Sequence, residues 1–133
     1  MKTIHFFSTF ICMLLLASCK KERMEESIVG RWELQKMYDG YANGGKFEWT
    51  IVPLQCRYIL EFDHNGGFKQ IESVNINPQN CTGKYILQSG PTLHIETSYY
   101  LNPQNLNISL SKGSLEITHQ AREGVIIERF VKL

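Results

Sequence analysis

The sequence lacks the short motifs that mark the common classes of enzyme and nucleotide-binding protein. It contains neither a Walker-type phosphate loop nor a Gly-x-Gly-x-x-Gly loop. It also has no Gly-x-Ser-x-Gly elbow, which would present a serine nucleophile. No two histidines have the i, i+4 spacing that binds zinc on a helix, so we interpret His64, His94 and His119 as surface side chains. We therefore predict no catalytic residues, no metal site and no cofactor.

An excess of charge of either sign is also missing. The chain has 14 Lys and Arg residues against 13 Asp and Glu residues, and its formal net charge is +1. Domains that bind nucleic acid usually carry a basic patch on one face. A chain balanced in this way is not expected to have a nucleic-acid partner.

No apolar run is long enough to span a membrane as a helix. The longest covers residues 4–16 and is interrupted by His5 and Ser8-Thr9, whereas a spanning helix takes about 20 apolar residues. A basic start at Lys2, a short apolar core and small residues after it are typical of a secretory signal peptide. An ordinary signal peptide over residues 1–18 is one interpretation.

The end of that segment favours a lipoprotein. Leu16-Ala17-Ser18-Cys19 resembles the lipobox of bacterial lipoproteins, in which an aliphatic residue and two small residues precede a cysteine. The resemblance implies cleavage before Cys19, a diacylglycerol on its thiol and an acyl chain such as palmitate on the new amino terminus. Two or more acyl chains hold a protein durably at a membrane, whereas a single acyl chain holds it only weakly. Because Lys20 is not the aspartate that typically retains lipoproteins in the inner membrane, we expect outer-membrane attachment, facing the periplasm or the cell surface.

Only two cysteines remain for the folded part of the chain. Cys12 lies in the signal segment and Cys19 would carry lipid, which leaves Cys56 and Cys81. In an oxidising compartment this pair predicts a disulfide. We interpret the polar segment 75–83 as a loop, and the disulfide would tie this loop to the strand after Cys56. Closing a loop of roughly 26 residues would contribute about 3.5 kcal/mol in the chain-entropy model. Two buried free thiols are the alternative.

No segment after Ser27 shows the 3.6-residue period of an amphipathic helix. Apolar and polar residues alternate instead, with Gly, Asn, Pro and Ser at short intervals, which predicts about eight or nine short strands. Such strands usually pair with their neighbours in the chain, and about eight can close into an up-and-down barrel. We therefore predict an all-β barrel over residues 28–133, preceded by a charged tether over 19–27. A sandwich of two sheets is the competing architecture.

Three segments carry more specific expectations. Asp63-His64-Asn65-Gly66-Gly67 predicts a hairpin, since Asn-Gly suits the primed turns. The strand over residues 68–74 has apolar residues on both faces and is expected to lie at an edge of the sheet or to be frayed. On the last strand, the face with most aliphatic residues holds Val125, Ile127, Val131 and Leu133, together with Arg129.

Several segments, taken in order, resemble the lipocalin-like domains of lipoproteins from Gram-negative bacteria. They are Gly30-x-Trp32 and the segments 60–68, 81–85 and 130–133. The resemblance implies a barrel with room for a small apolar ligand. It also implies that Trp32 packs at the closed end of the barrel beneath an arginine of the last strand. Arg129 is the candidate for that arginine, and a solvent-facing charge is its alternative role.

Two functions of different kinds are compatible with these patterns. The first is a lipid-anchored barrel whose aromatic residues line a pocket for a small apolar ligand. The second is a protein-interaction module, such as an inhibitor of an envelope enzyme that resembles the β-barrel lysozyme-inhibitor lipoproteins. A continuous apolar cavity above ~300 Å³ would favour the first function. A filled interior with a protruding loop over residues 38–47 or 99–105 would favour the second.

Overall fold

The computed structural model describes residues 28–41, 44–73, 79–98 and 102–133. The predicted signal peptide over 1–18, the lipidation site at Cys19 and the tether over 19–27 lie outside the described residues and stay predictions. Within the described ranges, no helix has the length and the apolar character needed to cross a membrane.

Nine antiparallel strands make up most of the described chain. Alternating β-branched, aromatic and polar residues suit a strand whose two faces meet different surroundings. In chain order the strands are β1 (Gly30–Tyr41), β2 (Trp49–Ile51), β3 (Arg57–Phe62), β4 (Gly67–Ser73), β5 (Gln79–Leu87), β6 (Thr92–Thr97), β7 (Gln104–Ser111), β8 (Ser114–Ala121) and β9 (Gly124–Lys132).

The strands close into a barrel because β1 pairs along both of its edges. From β3 to β9 each strand pairs with its neighbour in the chain, and β9 returns to pair with β1, with Trp32 opposite Lys132. β3 takes the first half of the other edge of β1, and β2 takes the second half. The predicted all-β up-and-down barrel is therefore confirmed. Of the nine strands, β2 is an addition beside the closed ring, and the ring excludes the two-sheet sandwich.

Apolar side chains fill one end of the barrel, which we call the closed end. Trp32, Leu115 and Phe130 are at most 1% exposed, and so is Ile28, which precedes β1. The Trp32 indole Nε1 donates a 2.6 Å hydrogen bond to the carbonyl oxygen of Ile28. Full burial of one large apolar side chain contributes roughly 1.5–3 kcal/mol. Because the indole N–H also has an acceptor, Trp32 can be buried there without leaving a polar group unsatisfied.

The predicted hairpin forms between β3 and β4, with a different turn. The Asp63 carboxylate accepts 2.7 Å hydrogen bonds from the backbone N–H groups of Asn65 and Gly67. Gly66 has φ +80° while Asn65 keeps a negative φ, so this is not the type I′ turn, which needs a positive φ at both residues. The Tyr85 hydroxyl donates a 2.8 Å hydrogen bond to the carbonyl oxygen of Asp63. That bond ties the turn to β5.

The prediction that β4 lies at an edge is wrong. β4 pairs with β3 on one side and with β5 on the other. Its inward positions are Phe68, Gln70 and Glu72, because they lie opposite the inward residues of β3, such as Phe62 and Leu60. Two of these three inward residues are polar, so the apolar alternation that marks a central strand is absent from the sequence.

The structure contradicts the predicted disulfide between Cys56 and Cys81. Both thiols are free, and Cys56 is exposed while Cys81 is buried within β5. Cys81 pairs with Gln70 on β4, and Gln70 pairs with Leu60 on β3. Two strand spacings and a shift of four residues separate the two Cα atoms by roughly 16 Å, and a disulfide needs less than about 7 Å. The prediction failed because β5 begins at Gln79, so Cys81 lies in a central strand and not in a loop.

Candidate functional site

A cavity of about 140 Å³ lies inside the barrel, beyond the packed closed end. It lies toward the opposite end, which we call the open end, where β1 finishes and β8 turns into β9. Inward-facing residues of several strands form its wall. The apolar and aromatic residues of the wall are Tyr58, Leu60, Phe68, Ile95, Leu106 and Ile117.

Four polar side chains share the wall of this cavity, and they are Gln70, Gln104, His119 and Glu128. Gln70 is only 8% exposed, and its amide Nε2 lies 3.5 Å from Glu72 Oε1, the long limit for a hydrogen bond. His119 Nε2 lies 2.9 Å from Glu128 Oε2. The cavity is thus apolar over most of its wall and has a polar side where the imidazole and the carboxylate meet.

Strand alternation brings His119 and Glu128 together. On β9, Phe130 fills the closed end and Glu128 is the next residue on the same face. On β8, Leu115 and Ile117 are buried core residues, and Ile117 lies opposite Glu128. His119 follows at the same spacing and therefore also points inward. The interpretation of His119 as a surface side chain is right in that the side chain is 40% exposed at the open end, but it missed that His119 also lines the cavity. Its place two residues after a pair of alternating core residues was the sequence signal.

Comparison with known proteins gives this chain no family. No protein-family model matches it, and no curated protein matches it. Among solved structures, it is similar to the crystal structure of Echinococcus granulosus fatty-acid-binding protein 1, with 11% sequence identity and a TM-score of 0.48. The match covers 81% of this chain and 98% of that chain. A likeness this distant carries no argument about what the cavity holds.

The inward face of β9 is the face with fewer aliphatic residues. Phe130 is fully buried and Glu128 lines the cavity, so the even-numbered residues point inward. Val125 and Ile127 lie on the outer face and are only partly buried. Arg129 shares that outer face. The fully buried residue of β9 is therefore Phe130, which lies on the face with fewer aliphatic residues.

The cation that lies over Trp32 is Lys132, which corrects the prediction of Arg129. Lys132 is opposite Trp32 in the β1–β9 pair, and its Nζ lies 5.2 Å from the centroid of the indole. Gly30 makes room for it, since a Cβ at Gly30 would lie 2.9 Å from Lys132 Cε. Arg129 is an odd number of residues from Lys132 and therefore points outward. There its guanidinium lies 4.2 Å from the centroid of the Trp49 ring.

A second candidate surface lies outside the barrel at β2. We call the exposed side chains of Phe47, Trp49, Ile51 and Leu54 the β2 ridge; Ile51 and Leu54 are 73% and 94% exposed. Among the described strands, β2 pairs with β1 alone, so its other edge presents unpaired backbone groups. A groove of about 320 Å³ runs between the ridge and residues of β1 that include Leu34. Exposed apolar side chains beside an open strand edge are typical of a protein-binding surface.

The outer face of β6 carries a smaller polar cluster around His94. His94 Nδ1 lies 2.6 Å from Asn105 Oδ1, and His94 Nε2 lies 3.3 Å from Glu96 Oε1. The hydrogen bond with Asn105, followed by that with Glu96, favours the protonated ring and raises the pKa of His94 above its ordinary value. Within the described residues, no group of three His, Cys, Asp or Glu side chains is placed to hold a metal ion.

Proposed function

We propose that this protein binds a small, mainly apolar ligand inside its barrel while a lipid at Cys19 holds it at the outer membrane of a bacterial cell envelope. The observation that supports ligand binding is the internal cavity with its apolar wall and a few polar groups on one side. That combination is typical of small-molecule sites, where the apolar wall provides affinity and a few polar groups orient the ligand.

The volume of the cavity limits the size of the ligand. About 140 Å³ is below the ~300 Å³ of ordinary ligand pockets, so the cavity does not reach the volume expected for the ligand-binding function and can hold only a smaller ligand. It is close to the size of an engineered apolar cavity of roughly 150 Å³ that binds benzene. The proposed ligand therefore has about six to nine non-hydrogen atoms, and a long acyl chain is not proposed.

A cavity-filling substitution tests ligand binding. Leu106 lines the cavity, and Leu106→Phe would occupy part of its volume. Ile86→Phe is the matched control, because Ile86 is 59% exposed on the outer face of β5. Toluene binding, followed by ligand-observed NMR, should be lost in Leu106→Phe and kept in the control. Equal toluene binding by both variants would place the ligand outside the cavity and contradict the proposal.

The membrane anchor is tested separately from the cavity. A tether of eight residues from Lys20 to Ser27 reaches at most ~28 Å, which would hold the barrel close to the bilayer. Cys19→Ala should move the protein from the membrane fraction to the soluble fraction of a bacterial host, because the thiol that accepts the lipid is gone. Unchanged membrane retention of this variant would contradict the lipoprotein proposal.

The β2 ridge supports a second candidate function, an inhibitor of an envelope enzyme. An inhibitor needs an exposed surface that an enzyme can cover, and buried apolar anchors usually supply most of the binding energy. Inhibition of lysozyme by the full chain is the direct measurement. For this candidate, Ile51→Asp and Leu54→Asp should abolish inhibition while Ile86→Asp on β5 leaves it intact. Absence of inhibition by the unaltered chain would rule lysozyme out as the target.

A further inference from the structure

The cavity wall holds one carboxylate and one imidazole. Glu128 is the acidic residue of its wall, and the described lining residues include no lysine or arginine. Glu72 is the next carboxylate, and it contacts the amide of Gln70. The cations of β9 lie elsewhere, with Lys132 over Trp32 at the closed end and Arg129 on the outer face. A ligand in this cavity therefore meets the Glu128 carboxylate beside the His119 imidazole, and no lysine or arginine of the described residues.

The carboxylate of Glu128 keeps capacity to bind a ligand. Its Oε2 receives the contact from His119, and in the described part of the chain Oε1 has no hydrogen bond. The side chain of Glu128 is 17% exposed and lines the cavity, so a ligand there can reach this side chain. An ionised carboxylate accepts up to four hydrogen bonds from its two oxygens, so His119 leaves most of this capacity unused.

The buried amide of Gln70 also points to a polar group on the ligand. More than nine-tenths of Gln70 is buried, and its one side-chain hydrogen bond within the described residues, to Glu72, is 3.5 Å long. Buried polar groups normally have well-formed hydrogen bonds. The side-chain carbonyl of Gln70, which lines the same cavity as Glu128, can accept a hydrogen bond from the same ligand.

These groups discriminate between ligand charges. A carboxylate ligand would lie near Glu128 in a site of reduced dielectric, and like charges at short range oppose binding. An ammonium group would instead form a charge-assisted hydrogen bond with Glu128, which is among the stronger kinds. Tyr58 and Phe68 add aromatic faces to the wall, and such faces attract cations.

We propose that the cavity binds a small amine, with its apolar body against Tyr58, Phe68 and Leu106 and its ammonium group at Glu128 and Gln70. The proposal rests on the proposed function, because it names the ligand class of the same cavity. It excludes carboxylate ligands of the same size.

Four probes of nearly equal size test the proposal on the full chain in detergent: benzylamine, benzyl alcohol, benzoate and toluene. Affinities are measured by ligand-observed NMR at pH 7. Benzylamine should bind about tenfold or more tightly than benzyl alcohol, a difference of ~1.4 kcal/mol, and benzoate should bind most weakly. In Glu128→Gln the preference for benzylamine should disappear. In Glu61→Gln, whose carboxylate pairs with Arg31 outside the barrel, the preference should stay.

The outcomes separate this inference from the proposed function. Benzoate binding as tightly as benzylamine, or an unchanged preference in a folded Glu128→Gln, would overturn the amine proposal while ligand binding stands. Absence of binding by all four probes would overturn both proposals. If Glu128→Gln does not fold, Gln104→Glu replaces it, because a second carboxylate in the wall should increase the preference for benzylamine. An unchanged preference in that variant would also overturn the amine proposal.

Discussion

Replacing Gly30 with alanine tests how the closed end of the barrel is built. Gly30 has φ +131°, which an L-residue rarely adopts, and such strain costs about 1–3 kcal/mol. The new Cβ would also lie 2.9 Å from Lys132 Cε, so the lysine must move from its place over Trp32. A cation over an indole at a partly exposed site contributes about 0.5–1 kcal/mol. Together these effects predict a loss of about 1.5–4 kcal/mol in the free energy of unfolding.

Urea unfolding measures this loss as a lower midpoint with an unchanged slope. Gly113→Ala is the strain control, because Gly113 has φ +75° and its Cβ would have no atom within 4 Å. Lys132→Met is the charge control and should cost about 0.5–1 kcal/mol. Gly30→Ala should be more destabilising than either control. A loss no larger than that of Gly113→Ala would refute the contact between Gly30 and Lys132 and, with it, the described packing of the closed end.

Three further predictions concern other parts of the barrel. Asp63→Ala should lower the free energy of unfolding in urea by about 1–2 kcal/mol, because two backbone N–H groups lose their acceptor; a change below ~0.5 kcal/mol would contradict the turn. In the native protein Cys56 should react with a thiol reagent while Cys81, which is 7% exposed, reacts only after unfolding; equal reaction rates would contradict the placement of Cys81. The raised pKa of His94 means that its stabilisation is complete below its ordinary value of 6.5 and is lost as pH rises through the raised pKa. Stability measured by urea unfolding should therefore decline with pH across that window, and the decline should be smaller in His94→Gln; the same decline in both proteins would contradict this assignment.

The barrel could be predicted from the sequence because closure needs only a count of short strands and the rule that neighbours pair. The alternating pattern marks each strand, and the turn residues separate them. Leu115 and Ile117 on β8 illustrate this, since both are buried as their spacing implies. Such residues establish the strands but not the contents of the interior.

The candidate site was harder to predict because its polar residues occupy core positions. Gln70 and Glu128 point inward from strands whose outer faces also carry aliphatic residues, such as Ile71 and Ile127. A strand with apolar residues on both faces does not reveal which face is buried, and an error of one residue exchanges the two faces. For that reason the sequence did not show which face of β9 meets Trp32, and Arg129 was chosen where Lys132 lies.

The predicted disulfide between the two cysteines was wrong for a related reason. A count of cysteines and a compartment say that a bridge is possible, but the distance between Cys56 and Cys81 depends on where β5 begins. Nothing in the composition of residues 75–83 distinguishes a loop from the first residues of a central strand that pairs with the strand of Gln70. Register, and not residue type, decides such a distance.

The closing pair of the barrel has a consequence for how the chain folds. Trp32 on β1 meets Lys132 on β9, so the last seam joins positions at opposite ends of the domain. Contacts between residues so far apart in the chain are slow to form, because a long loop must be closed before they can be made. Until β9 has been synthesised, one edge of β1 has no strand to pair with, and Lys132 does not yet lie over Trp32. Export of the chain, as proposed above, would therefore present this open edge to its surroundings until the final strand has emerged.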